Sequence, residues 1–168
     1  GKIRQRLLKI RAKKVILATG ALERPLIFNN NDRPGIMLSS AVNKYADFYG
    51  VVCGQKTVFF TNNDSAYESA FCLHNKGIKV EAIIDIRDNS NSKIVKAVED
   101  AGIKIHWSHT VVDTSGYKRL KNISVMRLSN DGMSVTGNRI KISSDCLGVS
   151  GGWTPVSYTH LTLPTISC

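Results

Sequence analysis

The clearest alternation of apolar and polar positions lies in the middle of the chain, where short apolar runs are separated by amphipathic segments. Apolar runs at 57–61 (TVFFT), 80–86 (VEAIIDI) and 103–107 predict strands. The segments between them, which begin near Ser65 and Ser92 and end at glycines, predict helices. Five alternating strands and helices in about 50 residues are typical of half of a doubly wound parallel sheet.

After residue 108 the pattern changes to short alternating segments separated by turns that contain glycine. This pattern predicts an antiparallel meander. The predicted strands lie at 111–112, 123–128 and 139–142. The sequence therefore predicts an α/β fold in which a βαβαβ unit is followed by an antiparallel β-meander.

The first 50 residues suggest a separate piece of structure. The run from Val15 to Ala18 ends at Thr19 and Gly20, which predicts a strand buried in a parallel sheet. Residues 21–38 contain prolines and a run of asparagines, so we expect irregular structure there. A helix is predicted from Ser39 or Ser40 to about Tyr49.

The net charge of +10 is concentrated at the start of the chain. Seven positive residues precede position 15 with no acid among them, so the rest of the chain carries +10 − 7 = +3. Because apolar and basic residues alternate over 8–13, we interpret this stretch as a half-exposed strand with a solvated basic face rather than a site for nucleic acid or another polyanion. The positive residues are Lys2, Arg4, Arg6, Lys9, Arg11, Lys13 and Lys14.

The cysteine spacing and the hydropathy exclude several classes of protein. None of the four cysteines forms a CxxC pair, so a disulfide framework and a zinc site are not expected. No run of about 18 apolar residues is present, so we expect no membrane span. His106 and His109 are three residues apart on a predicted strand and should face opposite sides, so we expect no shared metal. We expect a cytoplasmic protein with no metal.

Glycines at strand ends mark the candidate cofactor site. Ala18, Thr19 and Gly20 end the first predicted strand, where small residues let backbone approach a dinucleotide, although a tight turn is the favoured interpretation of these three residues taken alone. Gly151 and Gly152 follow the last predicted strand, 146–149, and a turn that merely reverses the chain is their alternative interpretation. No catalytic residue can be identified from spacing.

A second nucleotide site is expected after the strand at 57–61 but looks degenerate. The segment TNNDSA stands where GxGxxG/A should follow the strand, with Thr61 and Asn63 in place of the first two glycines. A side chain at the second position should obstruct pyrophosphate, although Asp85 stands where a ribose-binding acid belongs. Asn62, Asn63 and Asp64 would then serve as helix caps or subunit contacts.

Four segments in order carry a resemblance to a known family: ATGALERP, NNDRPG, TNNDSAY and SGGWTP. With their spacing, they resemble the alpha subunit of heterotetrameric sarcosine oxidase over about residues 8–155. Alpha subunits of opine oxidases and of hydrogen cyanide synthase are similar. The resemblance implies the fold of the pyridine-nucleotide disulfide oxidoreductases, with two dinucleotide-binding (Rossmann-like) domains.

The resemblance also implies cofactors, partners and domains. It implies NAD in the first domain, near Ala18–Gly20, and FAD and FMN in the holoenzyme, where partner subunits oxidise a small secondary amine. The expected division is 1–50 for the end of the first domain, 51–145 for the second domain and 146–155 for a return strand to the first. The chain starts after the first domain's glycine-rich loop, so we expect an internal fragment that does not hold a dinucleotide tightly alone.

The C-terminal tail differs in composition from the rest of the chain. Residues 156–165 (VSYTHLTLPT) are uncharged and resemble one translated frame of a sequencing adapter. We therefore expect residues 156–168 to be an artefact that packs against nothing, with no functional meaning for His160 or Cys168.

Overall fold

The computed structural model describes residues 5–14, 16 and 18–156. Ten strands and three helices are formed within these ranges. The strands are β1 Ala21–Glu23, β2 Ile36–Leu38, β3 Thr57–Thr61, β4 Val80–Asp85, β5 Ile105–His106, β6 His109–Ser115, β7 Asn122–Leu128, β8 Val135–Ser143, β9 Cys146–Ser150 and β10 Trp153–Pro155. The helices are α1 Ser39–Phe48, α2 Ser65–Asn75 and α3 Lys93–Asp100.

A parallel sheet of five strands forms the centre of the structure. Its order is β2-β9-β3-β4-β5, and every neighbouring pair is parallel. Three helices cover one face, and an antiparallel sheet in the order β6-β7-β8 packs through its apolar side on the other face. The carboxyl ends of the parallel strands share one edge, which is where ligands bind in open α/β sheets.

Alternation along β3 explains why both faces are covered. Phe59 belongs to the apolar cluster on the helix side, whereas Val58 and Phe60 belong to the cluster on the meander side. All three are almost fully buried, as expected for a strand in the middle of a three-layer fold. Gly148 on β9 is paired with Phe59, and a Cβ at that glycine would lie 2.7 Å from two ring carbons. The missing side chain makes room for the aromatic ring.

The predicted α/β fold with a βαβαβ unit and a meander is confirmed. The helix predicted from Ser92 begins at Lys93, and Ser92 caps it, since its hydroxyl accepts a hydrogen bond from the Val95 amide. The strand predicted at 57–61 has the same bounds in the structure. The short parallel strand β2 was not predicted, because its three residues, which follow a proline and a glycine, are too few to show an alternation of apolar and polar positions.

The strands at the two expected domain boundaries lie in the central sheet. In the segment 146–155, expected as a return strand to the first domain, β9 lies between β2 and β3 in the five-stranded sheet. Only β10 leaves this sheet, to pair antiparallel with β1. Likewise β2 and α1, expected in the first domain, pack on the central sheet. A five-residue buried apolar strand requires partners on both sides, and β2 and β3 supply them.

The strands predicted in the first 20 residues do not form in the part that the structure describes. Residues 5–14, Ile16 and Ala18 are exposed and belong to no strand, and Ile16 is 91% exposed. Val15 and Leu17 lie outside the described residues. The predictions of a half-exposed basic strand and of a buried strand ending at Ala18 are therefore wrong for the described positions. A strand needs a neighbour for its backbone groups, and no described strand pairs with this segment.

The predicted artefact tail falls mainly on 157–168, outside the described residues. Val156 is described, and its amide donates to the Gly20 carbonyl at 3.1 Å. This residue therefore continues the contact between β1 and β10 rather than lying apart. In the described part of the chain, no helix has the length and apolar character needed to cross a membrane.

Candidate functional site

The carboxyl edge of the parallel sheet gathers most of the polar residues that the sequence analysis singled out. Thr61, Asp85 and Ser150 end three neighbouring strands, and all three are fully buried. The loop TNND follows the first of them, and Gly151 follows the last. In this fold class the edge is the expected dinucleotide position, so the contacts made here decide whether a nucleotide fits.

The Asn63 side chain fills the space where the second glycine of a nucleotide loop would stand. Its Nδ2 donates to the Ser150 hydroxyl at 3.1 Å and to the Ser150 carbonyl at 3.3 Å. Its Oδ1 accepts from the Ser65 amide at 3.1 Å, at the start of α2. A helix N-terminus in this position usually receives a phosphate. Here the amide oxygen of Asn63 caps the helix instead.

Ser65 and Glu68 have the sequence spacing of a capping box, but no capping box forms at the start of α2. The α2 helix begins at Ser65 itself, with Asp64 as its N-cap residue and no side-chain capping bond from it. The capping oxygen comes instead from Asn63, two residues before the first residue of the helix. The hypothesis that TNND acts as a helix cap is supported, with Asn63 in that role.

Asp85 is held by two side chains at the end of β4. The Arg87 guanidinium donates to both carboxylate oxygens, with Nη2 2.7 Å from Oδ2 and Nε 3.1 Å from Oδ1. The Tyr67 hydroxyl also donates to Oδ2 at 2.7 Å. Because these bonds occupy both oxygens, little of the carboxylate is left to accept bonds from a ribose.

Arg87 also reaches the loop after β3. Its Nη1 lies 2.8 Å from Asp64 Oδ1, so one guanidinium bridges the two acids. The pKa of Asp64 is lowered, because the hydrogen bond and charge of Arg87, with bonds from Ser90 and Ser92, outweigh the opposing effect of burial. The pKa of Tyr67 is raised, first by burial and then by Asp85. Trp107 stacks on Tyr67, with ring centroids 6.1 Å apart.

The other candidate glycines lie on a two-stranded ribbon made of β1 and β10. The Arg24 amide donates to the Gly152 carbonyl at 2.8 Å, and the Gly151 amide donates back to the Arg24 carbonyl at 2.6 Å. Gly20 meets the far end of β10 through Val156. The structure therefore brings together two predicted groups, Gly20 and Gly151–Gly152, that are 131 positions apart in the sequence.

The three ribbon glycines differ in what they allow. Gly20 and Gly152 have φ of +80° and +96°, and a Cβ at either would meet nothing within 4 Å. They leave open backbone that fits the close approach of a ligand. Gly151 is buried, and a Cβ there would lie 3.0 Å from the carbonyl oxygens of Arg24 and Pro25. Packing within the chain is enough to explain this glycine. Ala18 and Thr19 are exposed.

Sequence reasoning missed Glu23, the one buried side chain of β1. The residue is 8% exposed, and its Oε2 accepts from the Ser40 amide at 2.9 Å, in the first turn of α1. Its Oε1 has no partner in the described structure. The Ser39 hydroxyl and Asn43 Oδ1, on the first turn and a half of α1, are likewise buried and unpartnered within the described residues. The sequence pattern did not indicate this residue, because the segment around it shows no regular alternation of apolar and polar positions.

The two histidines do not face opposite sides, contrary to the expectation from a continuous strand. A turn at Ser108, with φ +54°, separates β5 from β6. The rings of His106 and His109 consequently pack edge to face, with centroids 5.4 Å apart. Burial, followed by the charge of Lys104, lowers the pKa of His106. The described residues contain no group of three or more His, Cys, Asp or Glu placed to hold a metal.

Comparison with proteins of known sequence identifies the relatives of the chain. It is 41% identical over 162 residues to the sarcosine oxidase subunit alpha of Corynebacterium sp. (strain P-1), and 36% identical over 155 residues to that of Rhizobium meliloti (strain 1021). The chain is homologous to part of the sarcosine oxidase alpha subunit. The alignments cover 95% and 90% of the chain, but 16% and 14% of the two relatives. No model of a protein family matches the chain.

Solved structures of other proteins show the same fold as the chain. The thioredoxin reductase of T. acidophilum superposes with a TM-score of 0.59 at 16% identity, over 82% of the chain and 43% of that protein. A FAD-dependent pyridine nucleotide-disulphide oxidoreductase from Desulfovibrio vulgaris gives 0.60 at 16% identity, over 87% and 37%. The resemblance stated from the sequence motifs is confirmed, and so is the Rossmann-like flavoprotein fold.

Proposed function

We propose that the chain is part of the dinucleotide-binding alpha subunit of a multisubunit amine oxidase of the sarcosine oxidase type. The observation that carries this proposal is the 41% identity to a sarcosine oxidase alpha subunit over 95% of the chain. The complete enzyme would carry out oxidative demethylation of sarcosine and pass the electrons to oxygen. The amine would react at a flavin in a partner subunit, and FAD and FMN would both belong to the holoenzyme.

The role of this chain would be to help hold NAD at the ribbon of β1 and β10. Open backbone with positive φ at Gly20 and Gly152 supports this position. Ala18 and Thr19 precede this backbone and are exposed to an incoming ligand. Gly151 would contribute by keeping β10 in place rather than by contact with the cofactor.

The second nucleotide position, which lies at the carboxyl ends of β3 and β4, would be closed. Asn63 occupies the pyrophosphate position and caps α2, while Arg87 and Tyr67 engage Asp85. A dinucleotide would have to break these contacts, in which the buried carboxylate of Asp85 is paired with a guanidinium. The chain would therefore contribute to one dinucleotide site rather than two.

Two alternatives share some of these observations. Alpha subunits that act on opines or form hydrogen cyanide resemble this sequence in the same motifs, so the amine itself is the open question. A non-catalytic docking domain is favoured by the closed second site alone. Under that alternative the complete subunit would bind its partners but retain no nucleotide.

The test is to clone the complete gene with its neighbouring subunit genes and to assay the purified complex. We expect oxygen uptake with sarcosine, together with formation of hydrogen peroxide and formaldehyde. Opines and glycine are the matched comparison substrates. Activity with an opine or with glycine but not with sarcosine would contradict the proposed substrate, and a complex that retains no nucleotide would support the docking alternative.

A further inference from the structure

We infer that Glu23 is a positioning residue that fixes the β1–β10 ribbon, and with it Gly20 and Gly152, on the start of α1. The inference rests on the proposed function, because it names the residue that orients the backbone at which the dinucleotide would bind. The ribbon consists of two strands of three residues each, so few contacts are available to hold it against the rest of the structure.

The ribbon itself buries little apolar surface. All three residues of β10 are exposed, and Ala21 and Leu22 of β1 are exposed as well. Leu22 is 66% exposed. Hydrophobic packing by these strands is therefore a weak source of order, and polar contacts must determine where the ribbon lies.

Glu23 is the exception within the ribbon. Its carboxylate reaches out of β1 to the Ser40 amide, and it is the only buried side chain in either strand. An acid at a helix N-terminus is stabilised by the unpaired amides and by the helix dipole. The side chain of Leu38, the N-cap residue, makes no capping bond, so Glu23 supplies the acceptor from a distant part of the chain.

The connection continues from Glu23 to the glycines through the backbone. Arg24, the next residue, exchanges hydrogen bonds with Gly151 and Gly152. Glu23 itself is paired with Trp153, whose indole nitrogen donates to the Ser65 hydroxyl at 3.0 Å. One carboxylate thus joins α1 to the segment that contains Gly152, and a shift of the ribbon would move that segment away from the sheet edge.

The two variants that test this role differ in their hydrogen-bonding capacity. Glu23→Gln keeps one acceptor oxygen for the Ser40 amide, whereas Glu23→Met has a similar volume and no oxygen. Val98→Ala, at a buried position of α3 in the apolar cluster on the helix side of the sheet, serves as a control for general destabilisation. All variants are made in the complete subunit within its complex, and the melting temperature of each is measured.

The first readout is hydrogen exchange of the peptides that contain 21–24 and 151–156, without any ligand. We expect Glu23→Met to exchange about tenfold faster there, and Glu23→Gln to stay within about threefold of the parent, since a lost hydrogen bond to a charged acceptor has effects of that order. Equal acceleration in Val98→Ala would overturn the inference. So would unchanged protection in Glu23→Met.

The second readout is the dissociation constant of NAD. We expect Glu23→Met to weaken binding about tenfold while Glu23→Gln and Val98→Ala stay within about threefold, because misplacing a binding segment raises the cost of ordering it. Unchanged affinity in a folded Glu23→Met variant would contradict the positioning role. If the parent complex binds no NAD at all, the proposed function fails, and the exchange measurement still decides whether Glu23 holds the ribbon.

Discussion

Arg87 holds the buried Asp85 through both carboxylate oxygens, at a position where a nucleotide-binding domain commonly presents a free acid to a ribose. Asp85 is fully buried, whereas the Arg87 side chain is 28% exposed. The same guanidinium reaches Asp64 in the preceding loop. One cation thus joins the acid at the end of β4 to the acid in the loop after β3, at the carboxyl edge of the sheet.

Removal of Arg87 is expected to destabilise the protein strongly. Arg87→Ala leaves the Asp85 carboxylate buried without its cation, which typically costs about 3–5 kcal/mol of unfolding free energy. Denaturant unfolding monitored by circular dichroism measures this difference. Lys79→Ala is the control, because the Lys79–Glu81 pair lies at the surface and exposed pairs contribute little. Equal stability of the Arg87→Ala variant and the parent would contradict the structural role of the pair.

The Asn63 side chain is expected to stabilise the start of α2. Asn63→Ala removes the oxygen that caps the Ser65 amide and the donor to Ser150, for a combined loss of about 1–2 kcal/mol. Asn62→Ala is the matched comparison. It removes the Oδ1 that accepts from Asn63 Nδ2 at 2.9 Å and a long 3.5 Å contact from Asn62 Nδ2 to the Gly151 carbonyl, but it leaves the capping oxygen of Asn63 in place, so we expect a smaller loss. Urea unfolding of both variants provides the comparison. The interpretation of Asn63 as the cap would be wrong if the Asn62 variant lost more stability than the Asn63 variant.

A side chain added at Gly148 is expected to destabilise the packing around Phe59. Gly148→Ala forces a methyl group against the Phe59 ring, and such overpacking costs about 1–3 kcal/mol. The double variant with Phe59→Leu should recover part of that loss, because the smaller side chain leaves room. Thermal unfolding of the two single variants and the double variant forms a cycle. Purely additive effects would show that the contact does not limit the packing.

The stability of the protein is expected to fall as the pH decreases below the ordinary pKa of histidine. The folded-state pKa of His106 is lowered, so below about 6.5 the unfolded chain takes up a proton more readily than the folded one. Stability is fully present above that pH and decreases until the folded pKa is passed. Unfolding free energies measured over this range should show a smaller slope in His106→Gln. An identical slope in both proteins would rule out His106 as a contributor.

The sequence was sufficient for elements with a clear period and insufficient for those whose existence depends on distant partners. The strand at 57–61 was predicted with its observed bounds, because its apolar run and its flanking polar residues are local signals. The strand at 146–149 was also predicted, but its place between β2 and β3 could not be, since a short run of residues does not reveal which strands lie beside it. No strand forms at Ile16 and Ala18, the described positions of the strand expected at 15–18, because an apolar run alone does not supply a neighbour.

In the candidate site, too, the features that depend on local sequence could be predicted, and those that depend on distant partners could not. The expectation that the second nucleotide position is obstructed came from the identity of Asn63, because a side chain there would compete with phosphate. The partners of that side chain did not follow, since Ser150 is 87 residues away. Glu23 and Arg87 were overlooked for a related reason: a charged residue outside a periodic segment becomes informative only when the structure shows the partner that it reaches.

The most direct test of the account is the amount of NAD bound per alpha subunit in the purified complex, measured after release of the nucleotide. We predict one molecule per subunit, a loss of binding in Gly20→Val, where a branched side chain meets a φ of +80°, and unchanged content in Asn63→Ala. Two molecules per subunit would contradict the account. Binding that survives Gly20→Val and disappears in Asn63→Ala would also contradict it, because the dinucleotide would then lie at the second position.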